Sequence, residues 1–162
     1  MTNNSKSIPD GYHSVTPYLS INGAAEAIEF YKKAFGAKEI GRLSMGDKKI
    51  GHAEIEIGNS RVMLADAFPE WGNKAPGDFG GSPVGLCIYV EDVDAVFKQA
   101  LEAGAKVDKD MTVKDQFYGD RSGSIIDPFG HKWTIATHIE DVSFAEMQKR
   151  SDAMFSEYKA AI

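Results

Sequence analysis

The sequence predicts an α+β protein built from two βαβββ units and a C-terminal helix. Three observations carry that prediction. First, the β-prone runs 124–126 and 132–135 flank Asp127-Pro128-Phe129-Gly130. Proline presets φ there and glycine accepts a positive φ, so the stretch reads as a β-hairpin. Second, Gly36-Ala37-Lys38 and Gly104-Ala105-Lys106 each close an amphipathic segment and open a β-prone one, 68 residues apart. Self-similarity at that spacing is an internal repeat. Third, a Gly- and Pro-rich stretch at 67–83 stands between the copies, where a module boundary belongs. The units then occupy 12–66 and 84–138, with a helical tail at 139–162.

In order, residues 1–11 are polar and aperiodic, the composition of a fraying end. Residues 13–21 hold Val15, Tyr18, Leu19 and Ile21 in loose alternation and predict a strand, with Pro17 arguing for an edge position. Asn22-Gly23 turns the chain. Ala27, Ile28, Tyr31, Ala34 and Phe35 recur at helical spacing, which predicts a helix over 24–35 stopped by Gly36. Strands at 38–44 and 49–57 follow, joined around Met45-Gly46-Asp47-Lys48. In the second of these, His52, Glu54 and Glu56 alternate with Ala53, Ile55 and Ile57, giving one polar and one apolar face. A turn at Gly58-Asn59-Ser60 leads into a strand at 61–66.

The stretch 67–83 contains Phe68, Trp71 and Phe79, which predicts either a loop packed back on the body or a lid above a ligand. The pattern then restarts: a strand at 84–90, a turn at Glu91-Asp92, and a helix over 93–103 with Val96, Phe97, Ala100 and Leu101 on one face. A strand at 106–113 precedes the loop 116–121, a strand connection or a pocket rim. In the tail, Ser143 with Glu146 matches a capping box, and Val142, Phe144, Met147, Met154, Phe155 and Tyr158 give an apolar face for the body or a subunit interface.

Bulk properties narrow the function. A net charge of −6 argues against a nucleic-acid partner. No apolar run approaches the ~18 residues of a membrane span, and the start lacks a signal peptide's apolar core. No membrane partner and a cytoplasmic location are the expectations. The single cysteine, Cys87, excludes a disulfide framework or a cysteine zinc site and reads as a small buried hydrophobe.

Several motifs resemble one family. They are Thr16-Pro17-Tyr18-Leu19, Phe30-Tyr31-Lys32-Lys33-Ala34-Phe35-Gly36-Ala37, Tyr89-Val90-Glu91-Asp92-Val93-Asp94, Gly119-Asp120-Arg121, Asp127-Pro128-Phe129-Gly130-His131-Lys132-Trp133 and Ile135-Ala136-Thr137-His138. Together they resemble the vicinal oxygen chelate superfamily of glyoxalases, bleomycin-resistance proteins and extradiol dioxygenases, and within it the PhnB-like branch. The resemblance implies two modules curling edge to edge into a mixed sheet with a cleft, helices outside, and a homodimer. A methyltransferase label carried by some relatives finds no support, because no strand runs into a glycine-rich nucleotide loop.

The resemblance also implies four metal-ligand positions, on the first and last strand of each module. Here they hold Thr16, Met63, Gly85 and Thr134, none a good ligand. No metal cofactor is expected at those positions. A displaced divalent site for zinc, nickel or manganese would need His52, Glu54 and His138, with His52 and Glu54 two apart on one strand face. Strand phase puts Thr16, Tyr18, His52, Glu54, Met63, Cys87, Tyr89, Thr134, Ala136 and His138 on the inner faces, with Phe117, Tyr118 and Arg121 at the rim and Trp71 above. Arg121 either pairs with Asp120 to pin the loop or faces the cleft to receive an anionic ligand group. His131 reads as a structural hydrogen-bonding residue.

The leading functional expectation is metal-free, dimeric binding of a small aromatic or planar molecule. The alternative is a lyase or isomerase of glyoxalase type, with a relocated metal or with Glu54 or His138 as acid/base.

Overall fold

A computed structural model describes residues 5–46 and 48–160, with α-helical side chains at the C-terminus described as far as Ser156. The turn residue Asp47 and the Tyr158 side chain lie outside that description. The first module runs β1 (Tyr18–Ile21), α1 (Ala24–Phe35), β2 (Lys38–Met45), β3 (Lys49–Ile57) and β4 (Ser60–Asp66). Its sheet has the order β1-β4-β3-β2, with β1 parallel to β4 and the other pairs antiparallel. The second module runs β5 (Gly85–Tyr89), α2 (Val93–Glu102), β6 (Lys106–Val107), β7 (Lys114–Asp115), β8 (Asp120–Ile126) and β9 (Lys132–His138). Its order is β5-β9-β8-β6, with β7 also paired to β8 and β5 parallel to β9. Helix α3 (Phe144–Ala160) follows, its first turn held by the Ser143 hydroxyl accepting from the Glu146 N–H at 3.3 Å.

Each helix covers one face of its sheet. Helix α1 buries Ala24, Ala27, Ile28, Phe30, Tyr31 and Ala34. It ends at Gly36, whose φ of 65° lets its N–H return to the Lys32 carbonyl as a left-handed cap does. Helix α2 starts at Asp92, whose carboxylate accepts from the Ala95 N–H at 3.0 Å, and buries Val93, Phe97 and Ala100.

One core joins the modules. Phe35 of α1 lies 4.9 Å, ring to ring, from Trp133 of β9. The buried Asp127 carboxylate accepts from the Tyr31 hydroxyl at 2.7 Å and the Trp133 indole at 3.0 Å on one oxygen. Its other oxygen takes the N–H groups of Phe129 and His131, both at 2.9 Å. The buried His131 also brings Nε2 to 3.3 Å from the Ser20 carbonyl of the first module.

Three sequence expectations change in detail. The strand expected over 13–21 starts only at Tyr18, because the chain before Pro17 turns, with the Thr16 hydroxyl on the His13 carbonyl. The strand expected over 106–113 is broken into β6 and β7. Asp108 is buried beside Lys132 at 3.3 Å, and the chain loops out through Lys109, at φ 54°, before rejoining β8. In 67–83, Phe68 and Pro76 are buried while Trp71 and Phe79 are exposed, so the loop is anchored at two points and displays two aromatics outward.

Candidate functional site

The face of each sheet away from its helix carries the polar side chains, and strand alternation decides what stands on it. In the first module these are Tyr18, Ser20, His52, Glu54, Glu56, Arg61 and Met63, while Leu19, Ile21, Ile55, Val62 and Leu64 point into the core. In the second they are Cys87, Tyr89, Asp120, Ser122, Ser124, Thr134, Ala136 and His138. The ladders align the faces: Tyr18 lies opposite Met63, and Cys87 opposite Thr134.

Each face carries a polar network. In the first, the Tyr18 hydroxyl is 3.0 Å from His52 Nδ1, and His52 Nε2 is 3.3 Å from the Glu54 carboxylate. The Tyr12 phenol and then the His52 ring hold the Glu54 carboxyl below the usual range. Burial, then Glu54, pushes the Tyr12 hydroxyl up to about 12. In the second, Asp120 accepts from the Tyr89 hydroxyl and meets His138 Nδ1, each at 2.8 Å, and His138 Nε2 reaches Asp141 at 3.0 Å. The two carboxylates, Asp120 first, raise the His138 pKa above its ordinary value. Asp120, then burial, pushes Tyr89 up to about 12. Farther along the face, the hydroxyls of Tyr118 and Ser122 lie 3.2 Å apart, and those of Ser124 and Thr134 lie 3.0 Å apart.

Between the modules runs an open groove of about 1050 Å³. Val15, Pro17, Ile57 and Val62 line one wall, and Leu86, Ile88 and Trp133 the other, with Tyr89, His138 and Arg61 at its polar margins. Strand β5 borders the groove because it pairs with β9 alone. The Val90 N–H goes to the Ala136 carbonyl. In a parallel ladder alternate residues bond to opposite sides, so the peptide groups of Cys87 and Tyr89 face the groove. A smaller hollow of about 270 Å³ lies beside Tyr18, under Phe79 and Pro76. A third, of about 550 Å³, is lined by Tyr118, Gln116, Ser124 and Thr134.

The predicted site residues therefore separate. Tyr89 and His138 reach the groove, Tyr18 the smaller hollow, and Tyr118 and Thr134 the third. His52, Glu54 and Met63 stand on the first sheet's open face outside all three, and Phe117 packs edge-on against Tyr118 at 5.2 Å. Asp120 and Arg121 do not pair with each other: neighbours on one strand, they point to opposite faces. Arg121 lies on the helix side, forked onto Asp94 of α2 at 2.7 and 2.8 Å and bonded to Asp115 of β7 at 2.8 Å. Cys87, expected to be buried, is exposed on the open face of an edge strand; burial of the thiol and nearby Asp120 still push its pKa up. Arg61, Asp120 and Asp141 were not singled out for the site by sequence. For Asp120 the signal was present, because period-two alternation within 120–126 sends it to the face of Ser122 and Ser124.

A metal ion does not fit the donors of this site. Thr16 and Thr134 supply hydroxyls, Met63 a thioether and Gly85 no side chain, a poor set for a divalent ion. His52 and Glu54 adjoin on one sheet while His138 stands on the other, and among the described residues no three His, Cys, Asp or Glu side chains are grouped to hold a metal.

Comparison with known proteins adds to this geometry. The family model described as the Glyoxalase/Bleomycin resistance protein/Dioxygenase superfamily matches residues 13–135. An uncharacterized protein of Mycobacterium bovis is 43% identical over 138 residues, covering 83% of this chain and 90% of that protein. Among solved structures, the PhnB protein from Bacillus cereus superposes with a TM-score of 0.58 at 18% identity, over 77% of this chain and 99% of that one. TnmS3, an antibiotic binding protein from a Streptomyces species, superposes with a TM-score of 0.59 at 18% identity, over 83% and 99%. At such identities the two structures share the fold.

Proposed function

The chain belongs to the glyoxalase/bleomycin resistance protein/dioxygenase superfamily, and on that premise we propose that it binds and sequesters a small planar or aromatic molecule in the groove between its modules, without a metal. The groove itself carries this reading. It is large enough for a drug-sized ligand, mostly apolar, and bordered by a few polar groups, as small-molecule sites are. Tyr89, exposed on β5, offers aromatic surface for a flat ligand. The antibiotic binding of TnmS3, a protein of the same fold, supports the same class of activity. Leu43, Val84, Tyr89 and Phe144 leave large apolar surfaces exposed, the kind of area a homodimer would cover. A cytoplasmic location accords with the one unpaired cysteine, and among the described residues no helix is long and apolar enough to cross a membrane.

Tryptophan fluorescence tests the proposal. The chain has two tryptophans: Trp71 is exposed on the loop and Trp133 is buried in the core beside the groove. In Trp71→Phe, titration with planar aromatics should change the remaining emission saturably, and EDTA should leave the midpoint unchanged. A flat response across a broad aromatic panel would remove the binding reading. Loss of binding on chelation would remove its metal-free part.

A second reading has one observation in its favour. The imidazole of His138, held by Asp120 and adjoining the groove, keeps its proton to higher pH than a free imidazole, which suits a metal-free general acid. Glu54, with its lowered pKa, is the weaker acid/base candidate.

A further inference from the structure

Among the described residues, the buried side-chain nitrogens without a hydrogen-bond partner gather on one residue. They are Nε and Nη1 of Arg61. Arg61 stands on β4 in the wall of the groove, with only 16% of its side chain exposed. Its nearest carboxylate, Glu56, comes to 3.6 Å of Nη2, close enough for charge compensation but too far for a hydrogen bond. A buried guanidinium normally spends its five N–H donors on acceptors, and leaving them unmade carries the desolvation cost of the group. Such a gathering calls for a physical reason.

The cover over Arg61 shows how those donors can be reached. Gly11, at φ 83°, crosses the guanidinium so closely that a Cβ there would lie 2.8 Å from Nε and 3.0 Å from Nη2. The segment that carries Gly11 lies outside every helix and strand. Its backbone tie is local, Tyr12 N–H to the Pro9 carbonyl, with Lys6 paired to Asp10, and the Tyr12 phenol beside Glu54 is its link to the sheet. Among the described residues it makes no hydrogen bond to the Nε and Nη1 it covers, so lifting it breaks none there.

Charge then selects the acceptor. Glu56 and Glu54 both lie near enough to Arg61 to interact with its charge. An incoming anion would join two carboxylates around one cation. A neutral carbonyl oxygen takes the same N–H groups without adding charge.

We propose that Arg61 is the recognition residue of the groove for a neutral carbonyl oxygen on a planar ligand, an aryl ketone or aromatic amide. The inference rests on the groove being a small-molecule site, and it assigns one polar feature of what that site takes.

The test compares fluorenone with fluorene, flat tricycles that differ by one carbonyl oxygen, by equilibrium dialysis against the full chain. Wild type should hold fluorenone about tenfold more tightly than fluorene, the scale of a hydrogen bond to a charged donor. Arg61→Met should bring that ratio close to one. Arg61→Lys retains a charge for Glu54 and Glu56 but loses the forked donors, and it should do the same in a chain whose fold is not in question. Equal affinities in wild type, or a preference that survives both substitutions, would overturn the role of Arg61 and leave the groove reading standing. If neither compound binds wild type, the groove reading fails and this inference with it.

Discussion

The two modules share a ladder and divide over what they place on it. Tyr18 faces Met63 across β1 and β4 as Cys87 faces Thr134 across β5 and β9. The open faces nevertheless carry different chemistry. The first runs from Tyr18 through His52 to Glu54, with Arg61 beside the groove. The second gathers Tyr89 and His138 around the buried Asp120. Backbone pairing repeats because the register of a half-buried strand is fixed by its apolar face. The polar face is under no such constraint. Fold symmetry therefore says little about site symmetry, and function has to be argued from the residues of each face.

The comparison is tested most severely by the two buried aspartates. Asp127 accepts from Tyr31, Trp133, Phe129 and His131 and so links both modules. Asp66 accepts from the N–H groups of Gly23, Ala24 and Ile50, all within the first module. Asp127→Ala should cost about 4 kcal/mol in urea denaturation and Asp66→Ala about 3, from buried donors left without acceptors. If Asp66 proves the costlier, the joint between modules is not where the stability concentrates.

Glycines in the turns should differ more modestly. A Cβ on Gly119, at φ 97°, would lie 2.1 Å from the Glu140 carbonyl oxygen, whereas Gly58, at φ 59°, has nothing within 4 Å. Gly119→Ala should cost about 2–3 kcal/mol, strain plus collision, against about 1 for Gly58→Ala, strain alone. Equal effects in thermal melts would mean that the chain after β9 yields freely.

The smallest contrast is one of pH. Arg42, then Lys32, lowers the Glu39 carboxyl from 4.5 to about 2. Its stabilisation is present above the unfolded value and is lost as pH falls toward about 2. His138 is shifted upward from 6.5. Its stabilisation is complete below that unfolded value and disappears as pH rises through the folded one. Melting temperature against pH should therefore flatten on the acid side in Glu39→Gln, and in His138→Gln on the side above about pH 6.5. An alkaline limb that persists in His138→Gln would detach that histidine from the stability of the second module.

What the sequence made legible was whatever local chemistry determines. The stop at Gly36, the start at Asp92 and the turn at Asp127-Pro128-Phe129-Gly130 each need only neighbours in the chain. Asp108 is different: it interrupts a β-prone run because it is buried against Lys132, a partner on another strand that no local window contains. Sequence places Arg121 at a loop rim or paired with Asp120, and only its place in β8 sends it to the helix side. The groove was harder still to foresee. Strand phase predicts what stands on faces, and this hollow runs along an edge, where β5 meets the first module without forming a ladder to it. Arg61 had no local mark at all, since its bare donors arise from Gly11, far away in sequence, crossing above it.

The exposed edge of β5 has a consequence for how such a protein can change. At Cys87 and Tyr89 the groove is bordered by peptide N–H and C=O groups, which every residue except proline supplies in full. Point substitution can reshape the walls at Val15, Ile57 or Leu86 and leave that ledge of donors and acceptors in place. On the proposed function, new compounds would be accommodated by altering side chains alone, with a grip that is written into the main chain and inherited unaltered.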